Sequence, residues 1–196
     1  MFLLKGKLHM RKDLGAKTFI YPMPVLIIGT YDEKGEPDAM NAAWGGIYDY
    51  SQITISLDAH VSTDNIRKNK AFTVSFATRK TVAQSDYVGI VSKAKEPRKI
   101  EKAGLHPIKS EKVNAPLFEE YPLTLECKLV SLDGNMGEGG TLIGEIVNVS
   151  VDESILTNDK IDVKKLEPLA FDGANGKYHV LGEEIADAFR VGLKLR

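Results

Sequence analysis

Polar and apolar side chains alternate along several short segments of this chain, and this alternation limits the folds that the chain can adopt. Residues 52–57, 72–76 and 123–130 all follow the pattern. Successive side chains of a strand point to opposite faces, so alternation over four to eight residues indicates a strand with one buried face. Turn residues 133–135 separate segment 123–130 from residues 141–151, which predicts an antiparallel pair. The chain is therefore predicted to be mainly β.

A further hairpin and three short helices are predicted around these strands. Residues 25–31 are apolar and β-branched, and turn residues 32–35 follow them, which indicates a hairpin. Helices are expected between residues 57 and 72, within residues 82–92 and within residues 97–103, the last with its charged residues facing solvent. Many short strands with only a few helices favour a closed or nearly closed barrel over a doubly wound parallel sheet.

The first of these helices carries recognisable end signals. Ser62 or Thr63 would cap its start, Ile66 would face the core, and basic residues 67–70 suit its C-terminal end. Free N–H groups and the positive end of the helix dipole also make a helix start suitable for a phosphate. From the residues alone, the hydroxyls of this segment fit two roles equally well, as caps or as phosphate ligands.

The composition suits one sizeable core and a surface whose net charge is close to zero. A chain of 196 residues with 43% hydrophobic content is expected to form a single domain over residues 1–196. Its 26 basic and 27 acidic residues give no general attraction for nucleic acid or anionic lipid, so neither partner is expected. Residues 1–7 lack the pattern of a secretory signal, and no apolar run approaches the roughly 20 residues of a membrane span. The single Cys127 cannot form an internal disulfide, which fits a cytoplasmic protein.

Two neighbouring segments have a composition suited to a flat polar ligand with a phosphate. Residues 40–47 place small side chains and glycines around Trp44, so backbone amides there can approach a ring edge without obstruction. Residues 56–66 lead from a strand into the hydroxyl-rich helix start. Both segments, in this order and at this separation, resemble the flavin reductase-like family, and most closely its flavoredoxin branch. Further segments that resemble this branch are residues 14–18, 22–25, 29–31, 85–92, 103–105, 110–113, 125–127, 144–147 and 178–183.

The resemblance implies an FMN-binding split barrel of antiparallel strands, in which the flavin N5 carries the chemistry and no catalytic side chain is needed. The backbone of residues 41–44 would contact the pyrimidine edge of the flavin and stabilise its negative charge on reduction. The residues implied to bind the cofactor are Asn41, Ala42, Ala43, Trp44, Ser56, Leu57, His60, Ser62, Thr63, Asn65, Ile66, Asp86, Tyr87, Gly89, Ser92 and Lys93.

Several of these residues also fit a purely structural role. A lone tryptophan such as Trp44 is more often a core residue, and residues 85–89 are also compatible with an ordinary amphipathic helix. Two positions depart from the family pattern. Asp58 stands where many members have arginine, and would repel a phosphate unless it points outward. Lys93 stands where glycine is common, which argues against a tight backbone contact there, and its amine is a further candidate phosphate ligand.

Hydrolytic, dinucleotide-binding and metal sites have little support. The chain contains no Gly-x-Ser-x-Gly motif, and Cys127 lies in the middle of a predicted strand, where packing explains it better than nucleophilic chemistry. Residues 137–140 are glycine-rich but fall between two strands, so a hairpin loop is expected rather than a dinucleotide-binding turn. The histidines lack metal-ligand spacing and no metal site is expected; they are His9, His60, His106 and His179.

The family resemblance leaves two redox roles open, and the residues leave one non-redox role. The protein would carry electrons between protein partners through fixed FMN, or would reduce flavin or another small acceptor with NAD(P)H. A barrel that binds nucleic acid or protein without redox chemistry is the third possibility, and the near-neutral charge argues against it. We also expect a twofold homodimer that covers an apolar entrance at residues 21–24, with residues 86–92 of one chain approaching the cofactor held by the other.

Overall fold

The structure is a computed structural model that describes residues 11–196, so the predictions for residues 1–7 and His9 lie outside it. None of the helices in this part of the chain is long and apolar enough to cross a membrane. The helices are α1 (Val61–Asn69), α2 (Val82–Ile90), α3 (Lys99–Lys102) and α4 (Val163–Leu166). The strands are β1 (Met23–Pro24), β2 (Leu26–Tyr31), β3 (Pro37–Ala42), β4 (Gly45–Asp49), β5 (Gln52–Leu57), β6 (Ala71–Phe76), β7 (Pro107–Lys109), β8 (Pro116–Phe118), β9 (Leu123–Leu132), β10 (Gly140–Val151), β11 (Leu156–Thr157), β12 (Lys160–Ile161), β13 (Leu169–Asp172) and β14 (Lys177–Val180).

A seven-stranded antiparallel sheet dominates the fold, in the order β3-β2-β6-β9-β10-β5-β4. Strands β3 and β4 lie at opposite edges of this order, yet only Ala43 and Trp44 separate them along the chain. The sheet must therefore curl until its two edges come close together, which produces a half-barrel that is open along one side. This confirms the prediction of a mainly β split barrel with a few short helices.

The predicted hairpins are present. Strand β2 turns into β3 through Asp32, whose carboxylate Oδ1 accepts hydrogen bonds from the amides of Lys34 and Glu36, both at 2.9 Å. Strands β9 and β10 pair along most of their length. Residues 137–139 belong to the hairpin loop between them, as expected, and Gly140 begins β10. Cys127 is fully buried in β9, where burial raises the pKa of its thiol to about 12, so packing is its role.

Two apolar clusters lie on opposite faces of the curled sheet. Strand β2 serves both, because Leu26 and Ile28 enter the barrel interior while Ile27 packs beneath α2 and α3. Strand β5 alternates between buried and more exposed positions, as its sequence predicts.

Strand β6 differs from the prediction, because both of its faces are buried. Its polar residues point away from the barrel interior. There the Thr73 hydroxyl donates to the carbonyl of Pro116 at 2.6 Å, and the Ser75 hydroxyl lies 2.7 Å from that of Thr124. Hydrogen-bonded hydroxyls can be buried at little cost, so polarity at alternate positions did not mark a solvent face here.

Helix α1 begins two to three residues earlier than the hydroxyl signal suggested. His60 is the N-cap residue, and its side chain makes no capping hydrogen bond. The prediction that Ser62 or Thr63 caps the helix is therefore wrong: both are buried within the first turn. The other end signals are confirmed, because Ile66 is fully buried and Lys70 ends the helix in a left-handed conformation, donating its amide to the carbonyl of Ile66.

The prediction that the charged residues of α3 face solvent is wrong for Lys99, which is only 3% exposed. Its amine lies 3.3 Å from Oδ1 of Asp38, a β3 carboxylate that is equally buried. The Ser62 hydroxyl donates to the other oxygen of Asp38 at 2.8 Å. A buried charge needs a partner, and this arrangement joins α3, β3 and α1 around one ion pair.

The last part of the chain adds a small sheet of β1, β13 and β14 beside the open side of the half-barrel. The amide of Leu169 donates to the carbonyl of Ala77, which holds β13 against the end of β6. The Tyr21 hydroxyl donates to Oδ1 of Asp172 at 2.5 Å. This bond, together with hydrogen bonds from Asn175 and the Ala174 amide, lowers the pKa of that carboxyl to about 2. The β13–β14 hairpin is thereby held where Phe171 and Tyr178 reach the opening.

Candidate functional site

A cavity of about 430 Å³ lies where the two edges of the half-barrel separate. The chain segments that line it are the end of β3 with the β3–β4 connection, the end of β5, one face of α2, and the β13–β14 hairpin. Its lining residues are Val25, Met40, Asn41, Ala42, Ala43, Trp44, Ser56, Leu57, Asp58, His60, Asp86, Gly89, Ile90, Phe171 and Tyr178. We refer to it as the larger cavity, because a smaller one adjoins it.

Sheet edges give this cavity peptide groups that are not committed to a neighbouring strand. Strand β3 is the edge strand at one end of the sheet order. The pairing of β4 with β5 begins at Gly45, which lies opposite Ile55. Next to this pair, the Ser56 amide donates to the carbonyl of Trp44 at 2.8 Å. Edge strands present unpaired N–H and C=O groups, and the small side chains of Ala42 and Ala43 leave them accessible.

Gly89 allows α2 to lie directly on the end of β3. A Cβ atom at this glycine would lie 2.9 Å from the Cβ of Asn41, closer than such atoms approach in proteins. The Asn41 side chain in turn donates to the carbonyl of Ser85 at 3.0 Å. Glycine at position 89 therefore sets the distance between α2 and β3, and with it the width of the cavity.

An aromatic and acidic wall closes the cavity on the side of β13 and β14. The rings of Phe171 and Tyr178 lie with their centroids 5.9 Å apart. The Tyr178 hydroxyl donates to Oδ1 of Asp86 on α2 at 2.8 Å. Burial, together with this bond to the carboxylate, raises the pKa of Tyr178 to about 12, so its hydroxyl stays protonated.

A smaller cavity of about 150 Å³ adjoins the larger one and shares Met40, Asn41, His60, Gly89 and Ile90 with it. Its further lining comes from the first turn of α1 and from the segment between α2 and α3. These further residues are Asp38, Val61, Ser62, Val88, Val91, Ser92, Lys93 and Lys99. The two cavities together form one elongated site with a wide end and a narrow polar end.

The narrow end meets the start of α1. The amides of residues 61–63 occupy the first helical turn, where N–H groups have no partner within the helix, and the His60 side chain does not cap them. Because the helix dipole adds partial positive charge at this end, the geometry suits an anion.

Two lysines lie beside this helix start. The Lys93 amine donates to the carbonyl of Pro37 at 2.7 Å and lies 3.9 Å from an oxygen of Asp32. Lys99 forms the buried ion pair with Asp38, and burial lowers the pKa of its amine while that carboxylate opposes the shift. Both lysines thus support the wall of the smaller cavity while already engaged with partners of their own.

The structure brings most of the sequence-predicted residues together. Nine line the larger cavity: Asn41, Ala42, Ala43, Trp44, Ser56, Leu57, His60, Asp86 and Gly89. Ser62, Ser92 and Lys93 line the smaller one. Trp44 is 57% exposed, so the alternative that it belongs to the core is wrong. Asp58 lines the larger cavity but is solvent-exposed, where water screens its charge.

Four predicted residues, Thr63, Asn65, Ile66 and Tyr87, line neither cavity. The Thr63 hydroxyl donates to the carbonyl of Asp58 at 2.8 Å, and the side-chain amide of Asn65 donates to the hydroxyl of Thr30 at 3.1 Å. Ile66 packs in the barrel interior and Tyr87 against the outer cluster. Their surroundings explain them as supports of α1 and α2.

Sequence reasoning missed five residues that line the larger cavity, Val25, Met40, Ile90, Phe171 and Tyr178. It also missed five that line the smaller cavity, Asp38, Val61, Val88, Val91 and Lys99. Phe171 and Tyr178 follow the β3–β4 segment by more than 120 residues, and long-range contacts such as the pairing of β1 with β13 bring them to the opening. The one available signal was that residues 178–183 resemble the family.

Comparison with known proteins identifies the family and the fold. A model of the flavin reductase like domain matches residues 18–181. Flavoredoxin of Desulfovibrio vulgaris (Miyazaki F) is 38% identical to this chain over 93% of it and 100% of that chain, with a TM-score of 0.86. Flavoredoxin from Methanosarcina acetivorans is 26% identical over 95% and 100% of the two chains, with a TM-score of 0.84.

A more distant solved structure shares the fold. The FMN-binding protein from Thermus thermophilus, solved with bound 1-cyclohex-2-enone, is 18% identical over 92% of this chain and 99% of that one, with a TM-score of 0.68. The sequence covered in these comparisons includes every residue assigned here to the two cavities.

Proposed function

Since the chain belongs to the flavin reductase-like family, we propose that it binds FMN in the two adjoining cavities and carries electrons through it. The observation that supports this most strongly is the pairing of a wide cavity at the sheet edges with a narrow polar cavity at an uncapped helix start. Bound FMN supplies the reversible uptake of electrons at its ring. The Thermus relative is FMN-binding by name.

The residues present fit this cofactor at both ends. The larger cavity, at about 430 Å³, lies within the range of about 300–1,000 Å³ usual for small-molecule sites. Small side chains at Ala42 and Ala43 leave the edge-strand backbone accessible to the polar rim of the ring. The helix start at residues 61–63 offers amides for a terminal phosphate, in a cavity of about 150 Å³.

In this proposal the chain holds, orients and shields the ring. Amides around residues 41–44 stabilise negative charge at the pyrimidine edge. Gly89 keeps α2 close to β3, and Phe171 with Tyr178 excludes water from one side. Trp44 borders the opening, which leaves the ring accessible to an electron donor or acceptor.

FMN is expected to bind at least tenfold more tightly than FAD. The narrow cavity takes a terminal phosphate, and the buried Lys99 and Asp38 pair lies behind it, so an adenylate extension has no continuing pocket there. Flavin-free protein titrated with each flavin, followed by quenching of flavin fluorescence, measures the two dissociation constants. Equal binding, or tighter binding of FAD, would contradict the assignment of the narrow cavity to the phosphate.

The family and its named flavoredoxins favour an electron carrier that works with a redox protein, and NAD(P)H-dependent reduction is the competing role. Anaerobic mixing of the FMN-loaded protein with NADH or NADPH separates them. A carrier is expected to keep its flavin oxidised for minutes with either nucleotide, and rapid bleaching would identify a reductase instead.

The cytoplasmic location inferred from composition stays a prediction.

The exterior beside the cavity supports a homodimer. An apolar groove of about 330 Å³ is lined by Thr18, Ile20, residues 22–24, residues 43–46 and Thr54. Strand β4 forms the exposed sheet edge beyond it. Together these define an apolar patch that consists of Phe19, Ile20, Tyr21, Trp44, Ile47, Tyr48 and Tyr50. Ile47 is 91% and Tyr50 107% exposed. Five of the seven side chains are aromatic, and an aromatic side chain buries about 150–250 Å², so a patch of this composition can supply the roughly 800 Å² per partner that a standard interface buries.

The position of α2 changes which of the two chains is expected to supply each part of the site. Asp86 and Gly89 line the same cavity as Asn41 of their own chain, so no partner is needed to bring them there. We propose instead that a second copy covers the apolar patch, and with it the Trp44 side of the cavity.

Dimerisation and FMN retention are therefore expected to fall together on dilution, because each stabilises the other by mass action. Sedimentation over a concentration series, read at protein and flavin wavelengths, tests this.

Ile47→Lys adds a charge to an exposed strand position and is expected to give a folded monomer with weaker FMN binding. A monomer that keeps its FMN as tightly as the dimer would contradict the proposed cover.

A further inference from the structure

Two carboxylates line the larger cavity, and their surroundings differ. Asp58 follows β5 and is solvent-exposed, whereas Asp86 lies on the cavity-lining face of α2 and is half-buried. In the described part of the chain, no salt bridge reaches either carboxylate. The charge of Asp86 is therefore the less screened of the two and lies inside the site rather than at its rim.

Tyr178 fixes the position of this charge. Its hydroxyl donates to Oδ1 of Asp86 at 2.8 Å, across the gap between β14 and α2. The raised pKa of Tyr178 keeps the proton on the phenol, so the hydroxyl remains the donor in this bond. Asn41, bonded to the carbonyl of Ser85, holds the same turn of α2 against β3. Asp86 is thus a preorganised negative charge on the cavity wall.

A fixed charge of this sign opposes reduction of a flavin in the same cavity. Two-electron reduction with uptake of one proton leaves a net negative charge on the ring at neutral pH, whereas the oxidised ring is neutral. The carboxylate therefore repels the reduced form and has little effect on the oxidised form. In a half-buried site this repulsion is larger than between charges in water.

From this geometry we propose that Asp86 lowers the reduction potential of the bound flavin, with Tyr178 as the residue that positions its carboxylate. The inference rests on the proposed binding of FMN and adds a function for a residue pair on α2 and β14. In this site the protein both stabilises charge, through the backbone of residues 41–44, and limits that stabilisation through Asp86. The balance between the two sets how strongly the reduced protein donates electrons.

The test is an anaerobic potentiometric titration of the FMN-loaded protein, with dithionite as reductant and a reference dye. Asp86→Asn is expected to change the ratio of reduced to oxidised flavin at a given potential at least tenfold in favour of the reduced form. For a two-electron couple this is a rise of about 30 mV. Tyr178→Phe keeps the ring and the charge but frees the carboxylate to turn toward solvent, so it is expected to raise the potential by a smaller amount.

Asp58→Asn is the matched control, because it removes the same charge from the exposed rim of the same cavity. It is expected to change the ratio less than threefold. A thermodynamic cycle gives an independent check: the ratio of the dissociation constants for oxidised and reduced FMN must shift at least tenfold in favour of the reduced form in Asp86→Asn.

The outcomes separate this inference from the proposed function. If the parent protein binds no FMN, the proposed function fails and this inference fails with it. If the parent binds FMN and Asp86→Asn leaves the potential unchanged, or shifts it no more than Asp58→Asn does, only this inference is overturned. Loss of oxidised FMN from Asp86→Asn also overturns it, because Asp86 would then be a residue that holds the cofactor.

Discussion

His60→Asp is expected to weaken FMN binding about 100-fold while leaving the protein as stable as the parent or slightly more stable. His60 is the N-cap residue of α1, exposed, and without a capping hydrogen bond. Aspartate is among the best N-cap residues and suits the helix dipole, so the fold tolerates it. Its charge would face the phosphate at the narrow end of the site, and repulsion of about 3 kcal/mol at short range corresponds to about 100-fold in affinity.

The same substitution at Thr63 would not answer this question. An aspartate at position 63 would be buried in place of a hydroxyl that donates to the carbonyl of Asp58, so loss of binding there would not be separable from loss of the fold.

His60→Asn is the matched control, because asparagine caps a helix equally well without a charge. Riboflavin, which lacks the phosphate, is the matched ligand. Asparagine competes with the phosphate for the same helix-start amides as aspartate does but adds no charge. We therefore expect His60→Asn to bind FMN at least tenfold more tightly than His60→Asp, and His60→Asp to bind riboflavin as His60→Asn does. If His60→Asp binds FMN as tightly as His60→Asn does, the phosphate does not lie at the start of α1.

The second large effect concerns the ion pair behind the narrow cavity. Lys99→Met is expected to lower the free energy of unfolding by about 3–5 kcal/mol, because it leaves the buried carboxylate of Asp38 without its counter-charge. The methionine has a similar length, so little volume is lost. Urea unfolding measures the change, with a lower midpoint at an unchanged slope.

The double variant Lys99→Met with Asp38→Asn distinguishes a broken pair from general damage. Replacing both members of a buried pair by neutral groups is often nearly neutral, and asparagine still offers Ser62 an acceptor where Asp38 Oδ2 now accepts its hydroxyl. The double variant is therefore expected to recover most of the lost stability, to within about 1 kcal/mol of the parent. Equal instability of the single and double variants would show that the ion pair is not the cause.

The β elements were predictable because their signal is local. Residues 52–57 alternate in the sequence and form β5 over the same span, since one face of that strand enters the barrel interior. The turn at residues 32–35 specified its hairpin for the same reason: Asp32 satisfies the amides of its own turn. Small residues at 42 and 43 indicated an accessible backbone, and they lie at the open edge of the sheet.

The errors arise where a polar side chain has a distant partner. Thr73 donates to a carbonyl 43 residues away, and Lys99 pairs with an aspartate 61 residues earlier in the chain. Ser62 was assigned to the cap because hydroxyls favour that position, but Asp38 accepts its proton instead. Periodicity and capping preferences describe neighbours in sequence, so they carry no information about such contacts.

The most direct test of the binding site is the crystal structure of the protein with FMN. Density for the flavin ring is expected in the larger cavity against the backbone of residues 41–44, with the phosphate at the amides of residues 61–63 in the smaller cavity. Density for the ring in the apolar groove between residues 18–24 and Trp44, or for the phosphate away from α1, would contradict the site proposed here.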